Sequence, residues 1–418
     1  MPLKTKNSTA IDASDAAYLS GTSQLLIDAV EGVTDIVEDL HRHIAGAAPM
    51  VGKSSPGRTR GITGLVYRSV RGVTRAVGFG LDVGFAQLMP LLNKQASSLR
   101  REAVLAALNG VFGDYLVAHQ NPLAITMQLR QHERPLVLNN AALATSFATE
   151  NHKLLVLVHG LCMNDLQWHR ERPDHSASHD HGASLARDLG YTPIYLYYNS
   201  GRHIATNGAE FAAILEQLVQ VWPADISELV IIGHSMGGLV ARSAYLHANQ
   251  ANHSWPQRLK KIIFLGTPHH GAPLERAGNW VDMLLDISPY TAPFARLGKI
   301  RSAGIKDLRY GRIMHEDTPD RGPMLPNRNV NKSVKYYAIA ATKQKQAGGD
   351  GARLRSDGLV PVKSALALGF RKGQLKDNTL PHMISIPVSR QRICYGLDHF
   401  DLLSSGEVYD QIYRWLAK

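Results

Sequence analysis

Residues 230–238 read Val-Ile-Ile-Gly-His-Ser-Met-Gly-Gly, an apolar run entering a G-x-S-x-G pentapeptide and leaving into Leu239, Val240, Ala241, Ala244 and Tyr245. Few local structures satisfy that order. The run predicts a strand, the glycines a sharp turn, and the spaced apolar residues a helix. Glycine at 233 and 237 relieves the crowding that side chains would cause in so tight a turn, and His234 sits between the strand and Ser235. The helix that follows aims its positive N-terminal end at the Ser235 hydroxyl. Ser235 is therefore a candidate nucleophile, and the competing reading is a strand–helix turn that glycine merely makes possible.

The chain around this turn alternates strand and helix. Strand candidates are Leu136–Leu138, Leu154–Val158, Ile194–Tyr198, Leu229–Ile232, Lys261–Leu265 and Tyr336–Ala341, with helices at Gly208–Val221, Met236–Ala248 and Glu407–Leu416. Runs such as Leu-Leu-Val-Leu-Val are apolar without alternation, as strands covered on both faces are. The predicted fold class is α/β, a mostly parallel sheet with helices on both faces. Residues 272–333 interrupt the alternation with Pro-, Gly- and Arg-rich sequence, the composition of an inserted cap or lid.

Before residue 131 the texture differs. Residues 1–20 are polar and read as a disordered N-terminus. From 21 to 130 three helical patterns follow, carried by Leu26 to Ile44, Ile62 to Val77 and Leu99 to Leu116. Their apolar faces are too broad to stand alone and predict either packing on the α/β unit or contact with a membrane.

Composition narrows the partners. The formal charge is +11, and residues 296–335 hold ten Lys or Arg against four Asp or Glu. No aromatic-interleaved basic stripe accompanies it, so a nucleic-acid partner is not expected. An anionic membrane surface or an acidic substrate fits better, beside the plain alternative of a solvated basic surface. Two cysteines, Cys162 and Cys394, are too few for a disulfide framework and read as a reduced pair. The N-terminus lacks an apolar secretory core, and no stretch of 18 uninterrupted apolar residues occurs, so the expected address is cytoplasmic, with peripheral membrane contact as a further expectation.

Ser235 needs a base, an acid that orients the base, and donors for an oxyanion. A nucleophile on such a turn is followed in the chain first by Asp or Glu, then by His. His399, in Tyr-Gly-Leu-Asp-His-Phe-Asp (395–401), lies on a loop just before the final helix and stands out among nineteen histidines. Asp357, in Arg-Ser-Asp-Gly-Leu-Val-Pro, follows a strand, with Gly358 to turn the chain and Leu359 and Val360 to dry the carboxylate. Asp350 and Asp377 are rivals, and a turn-forming aspartate is the plainer reading. Asp398 is too close in the chain to meet the His399 ring edge-on. The oxyanion donors are expected at the Met236 amide and at Leu161, where Gly160 lets the backbone turn inward. His159 reads as a structural hydrogen-bonder.

Secondary candidates are weaker. His169, His175, His179 and His181, with Asp174 and Asp180, match no standard ligand spacing, so a polar loop is expected and no metal site. Arg202 and His203 read either as headgroup contacts or as members of a structural salt bridge. Cys162 reads as a small buried filler.

Val-His-Gly-Leu (158–161), Gly-His-Ser-Met-Gly-Gly, Gly-Thr-Pro-His-His-Gly (266–271), Ser-Asp-Gly-Leu-Val-Pro and Asp-His-Phe-Asp together resemble the α/β-hydrolase serine esterases. Within them the chain is most similar to bacterial triacylglycerol lipases and GPI-inositol-deacylase-like hydrolases, over residues 135 to 418. The resemblance implies hydrolysis of carboxylic esters through an acyl-enzyme, with Ser235 as nucleophile, His399 as base and Asp357 as acid, no cofactor, and a lipid or small ester as substrate. It implies a catalytic domain over 131–418 with its cap at about 272–333. The signal peptide, disulfide and calcium site that secreted lipases carry are not recognisable here, and residues 1–130 match no motif of theirs. The alternative is a non-catalytic hydrolase-like scaffold that binds a membrane or a protein partner.

Overall fold

The computed structural model describes residues 98–147, 152–174, 177–271, 302–315, 334–346, 356–368 and 384–418. The first two helical patterns, most of the basic insertion, Asp350 and Asp377 lie outside the described residues.

The strands are β1 (Gln128–Gln131), β2 (Arg134–Pro135), β3 (Lys153–Val158), β4 (Arg170–Glu171), β5 (Ser178–His179), β6 (Thr192–Tyr197), β7 (Glu228–His234), β8 (Leu259–Leu265), β9 (Lys335–Thr342) and β10 (Gln391–Tyr395). Eight of them form one sheet in the order β10-β9-β8-β7-β3-β6-β1-β2. From β6 to β10 every pairing is parallel, and β1 joins β6 antiparallel. β4 and β5 make a separate two-stranded ladder. Among the described residues the α-helices are α1 (Ser98–Ala118), α2 (Asn140–Ser146), α3 (His181–Leu189), α4 (Ile204–Val221), α5 (Met236–Gln250), α6 (Ala303–Tyr310), α7 (Val362–Ala365) and α8 (Gly406–Leu416).

The unbroken apolar runs now have a physical reason. In β3, Leu154, Val156 and Val158 enter one core with residues of α1, α4 and α5, while Leu155 and Leu157 enter the opposite core with α3 and α8. Successive side chains of a strand point to opposite faces, so a strand covered on both must be apolar at every position. The second core recruits α8 through Val408, Ile412, Trp415 and Leu416, a stripe at helical spacing whose other face is polar.

Helix α1 departs from the expected boundary. Val104, Leu105, Leu108, Val111, Phe112 and Leu116 are all buried in the first core, and β1 adds an antiparallel edge to the sheet. Residues 98–131 therefore pack into the body of the α/β unit, which answers the choice between packing and membrane contact for the third helical pattern. The first strand candidate also shifts, because Arg134–Pro135 pairs with β1 and Val137 stands exposed. Strands β1, β4, β5 and β10 had no strong apolar signal, being short or, for Gln-Arg-Ile-Cys-Tyr, a partly exposed sheet edge. Among the described residues no helix is long and apolar enough to cross a membrane.

Candidate active site

Ser235 follows β7 directly, with φ 53° and ψ −124°, a left-handed backbone that a residue with a Cβ adopts only when its surroundings hold it there. They do. The Ser235 amide donates to Leu265 O at 2.8 Å, and its carbonyl accepts from Gly238 N at 3.1 Å. A methyl group at Gly233 would stand 2.6 Å from Gly238 Cα, and one at Gly237 would stand 2.3 Å from Val158 O. The turn closes this tightly only because both positions lack a side chain. Gly238, which the motif reading passed over, is equally constrained, since a methyl there would meet Thr267 Oγ1 at 2.0 Å.

Asp357 and His399 are brought together. His399 Nδ1 donates to Asp357 Oδ2 at 2.7 Å, and both residues are 1% exposed. The other carboxylate oxygen, Oδ1, accepts the amides of Leu359 at 2.8 Å and Val360 at 2.7 Å. Asp357 thus makes the aspartate turn and presents its second oxygen to the imidazole. Asp398 organises the loop instead, accepting from the amides of Phe400 and Asp401 at 2.8 and 3.0 Å.

The elbow and the His399 loop are joined through His234. Its Nε2 donates to the His399 carbonyl at 3.1 Å, and the two rings lie 4.7 Å apart. Burial, followed by the neighbouring His399, holds the His234 imidazole well below its usual range, so it stays neutral with its proton on Nε2. Gly266, at φ 59°, closes the other side, since a methyl there would stand 3.0 Å from His399 Cε1. Ser235 Oγ and His399 Nε2 are both buried, and neither has a hydrogen-bond partner among the described residues.

The loop after β3 lies against the serine. A methyl at Gly160 would be 3.1 Å from Ser235 Cβ, and Leu161 is fully buried. Among the described residues no backbone hydrogen bond occupies the amide of Leu161 or of Met236. His159 is locked in place by stacking on Tyr198 at 4.3 Å, with its Nδ1 donating to Gly160 O at 2.9 Å, and burial lowers its pKa to about 3.

His179 and His181 have structural partners. Arg172 donates to His179 Nδ1 at 3.4 Å, His179 Nε2 to His181 Nδ1 at 2.8 Å, and His181 Nε2 to Leu402 O at 2.9 Å. An arginine at one end and a carbonyl at the other fix both tautomers, and the chain braces the loop that carries His399. Asp180 caps α3 and accepts from Tyr195, His169 is exposed, and His175 lies outside the described residues. Among the described residues no cluster of three or more such groups is arranged to hold a metal. Arg202 pairs with Glu210 at 2.7 Å, the salt-bridge reading, and His203 Nδ1 hydrogen-bonds Asp307 Oδ2 at 2.9 Å. Cys162 and Cys394 are free, buried thiols, each pushed up to about 12, principally by burial.

Buried neutral histidines make a prediction about pH. Burial lowers His159 and His181 to about 3, and His234 and His269 also fall well below the usual imidazole range. Below about pH 6.5 the unfolded chain takes up protons that these sites refuse when folded, so stability is complete above that pH and is lost as pH falls. Each site contributes up to about 1.4 kcal/mol per pH unit. Burial raises the carboxyls of Asp165, Asp180 and Asp401, which offsets part of the loss only in the carboxylate range. Urea unfolding followed from pH 7.5 downwards should show stability falling steeply below about pH 6.5, with a net uptake of protons on unfolding. A flat profile would contradict the neutral, buried state of these rings.

Residues 151–308 match the family described as "PGAP1-like alpha/beta domain", a span that holds Ser235 and ends before Asp357 and His399. No curated protein matches the chain in sequence. Among solved structures it is similar to a Bacillus licheniformis lipase in mature form, with 21% identity, 70% of this chain and 97% of that one covered, and a TM-score of 0.40. Aspergillus fumigatus lipase B is similar at 12% identity, over 69% of this chain and 60% of that one, with a TM-score of 0.35. An esterase of the archaeon Pyrobaculum calidifontis is similar at 13% identity, over 65% and 75%, with a TM-score of 0.36. The parallel sheet, the helices on both faces and the serine elbow define an α/β-hydrolase fold.

Proposed function

We propose that this hydrolase is a serine esterase that cleaves carboxylic esters of lipid-like or acyl substrates through an acyl-enzyme. The observation that carries the reading is the buried Asp357–His399 hydrogen bond of 2.7 Å beside a strained serine elbow. Asp357 keeps the Nδ1 proton of His399 in place and so leaves the Nε2 lone pair free to act as a base. Ser235 Oγ attacks the ester carbonyl carbon while its proton passes to His399 Nε2. The negative charge moves to the carbonyl oxygen, where the amides of Leu161 and Met236 stabilise it. The ester C–O bond then breaks, and the leaving alkoxide takes the proton from His399. Water, deprotonated by the same nitrogen, attacks the acyl-enzyme; the acid departs and Ser235 regains its proton.

The lipid-like substrate is supported by the apolar company of the site. Met163 packs against the Gly160 loop, Leu402 against Gly266, and Phe400 beside the His399 ring. The catalytic domain on this reading includes α1 and β1. The basic segment 296–335 would bring the site to an anionic surface. A hydrolysis screen over p-nitrophenyl esters of increasing chain length tests the reading. Activity should rise from acetate to medium chains, vanish in Ser235→Ala, and increase with anionic vesicles at low salt for the longest chains. No hydrolysis of any ester would favour the scaffold alternative.

A further inference from the structure

Cys162, one residue beyond the proposed oxyanion donor, has φ 59° without being glycine. A left-handed backbone is unfavourable for a residue with a Cβ, so something must hold it. Two contacts from distant parts of the chain do so. The Cys162 amide donates to Ser200 Oγ at 3.0 Å, and on its other side helix α1 approaches so closely that a methyl on Gly110 would stand 2.3 Å from Cys162 Sγ. Ser200 is 1% exposed and sits in a clamped loop. Asn199 Nδ2 donates to Gly113 O in α1 at 3.0 Å, Asn207 of α4 donates to Asn199 O at 2.9 Å, and Gly304 of α6 donates to Gly201 O at 2.9 Å.

We propose that Ser200 is a positioning residue for the oxyanion loop and that α1 is the backing against which it works. The inference rests on the serine-esterase reading and deepens it. The Cys162 amide is committed to Ser200, so the peptide linking Leu161 and Cys162 cannot rotate. The preceding amide, Leu161 N–H, is thereby left available beside Ser235 for the developing charge. Without the Ser200 hydroxyl the Cys162 amide is a buried donor with no acceptor, and the loop can relax only by turning that peptide. The segment before the α/β unit therefore has a task at the active site: α1 supplies Gly110, whose missing side chain admits Cys162, and Gly113, whose carbonyl accepts from Asn199.

The test compares Ser200→Ala, Ser200→Thr and Gly110→Ala in the full chain. Removal of one oxyanion donor costs roughly 100- to 1000-fold, and mis-setting one without removing it is expected to lower kcat about tenfold. In Ser200→Ala, KM and the midpoint of the pH–rate profile should stay at wild-type values, while the thermal midpoint falls by the few degrees that one unsatisfied buried amide costs. The affinity of phenylboronic acid, which forms a tetrahedral adduct on a serine, should weaken by the same factor as kcat. Ser200→Thr, which keeps Oγ, should recover most of the rate, and Gly110→Ala should lose it by pressing on the loop from the other side. Amide hydrogen exchange at Cys162 should be slow in the wild type and faster in Ser200→Ala, a readout independent of any reaction. Wild-type kcat in Ser200→Ala, or a loss that Ser200→Thr does not recover, would overturn the proposal. If exchange changes as expected while no variant nor the wild type hydrolyses esters, the esterase reading fails and the Ser200–Cys162 link stands.

Discussion

Ser235→Ala is expected to lower kcat for p-nitrophenyl ester hydrolysis by about 100,000-fold, down to the residual rate left by binding and the oxyanion donors. The fold should survive intact. Alanine keeps the Cβ that already occupies the left-handed position, and the hydroxyl it removes makes no hydrogen bond among the described residues. The loss is then chemical, and urea unfolding should show an unchanged or slightly higher midpoint. Measurable turnover close to wild type would place the nucleophile elsewhere and remove the basis of the mechanism.

Asp357→Asn is expected to reduce kcat by about 10,000-fold with little change in KM. The geometry gives the reason. Oδ1 accepts two backbone amides, so an asparagine must put its oxygen there and its NH2 group toward His399. That NH2 meets Nδ1–H donor to donor, and the ring can avoid the conflict only by moving its proton to Nε2. With Nε2 protonated, His399 cannot take the proton from Ser235. The turn itself should survive, since both amides keep an acceptor. Steady-state kinetics of Asp357→Asn beside Asp350→Asn and Asp377→Asn decides among the three carboxylates that the sequence left open. A large loss in either of the other two, with Asp357→Asn near wild type, would reassign the acid.

What was readable in the sequence follows from how locally each feature is determined. The serine elbow was legible because its three glycines, Gly233, Gly237 and Gly238, fall within six residues, although Val158 and Thr267, distant in the chain, are what press on the last two. The buried parallel strands were legible because coverage on both faces forces an apolar residue at every step. Asp357 was legible as a turn, but its bond to His399 spans 42 residues, and no local pattern says which of several aspartates the chain returns to that ring. Strand β10 escaped notice because an edge strand with one exposed side needs few apolar residues. The role of α1 was undecided for a related reason: a helix apolar over a broad face suits a protein core and a membrane equally, and only the burial of Val104, Leu108 and Leu116 distinguishes them. Ser200 and Gly110 carried no signal, since their contacts reach Cys162 across 38 residues and from a different helix. His234 was read as support for the elbow, whereas its bond to the His399 carbonyl, 165 residues away, also ties the two halves of the site together.

The central claim is that Ser235 is a nucleophile activated by His399. Incubation of the wild-type chain with a fluorophosphonate, followed by mass spectrometry of its peptides, tests that claim most directly. The account predicts a single adduct on Ser235, formed at a rate that drops by orders of magnitude in Asp357→Asn. No adduct, or an adduct on another residue with Ser235 unmodified, would contradict it.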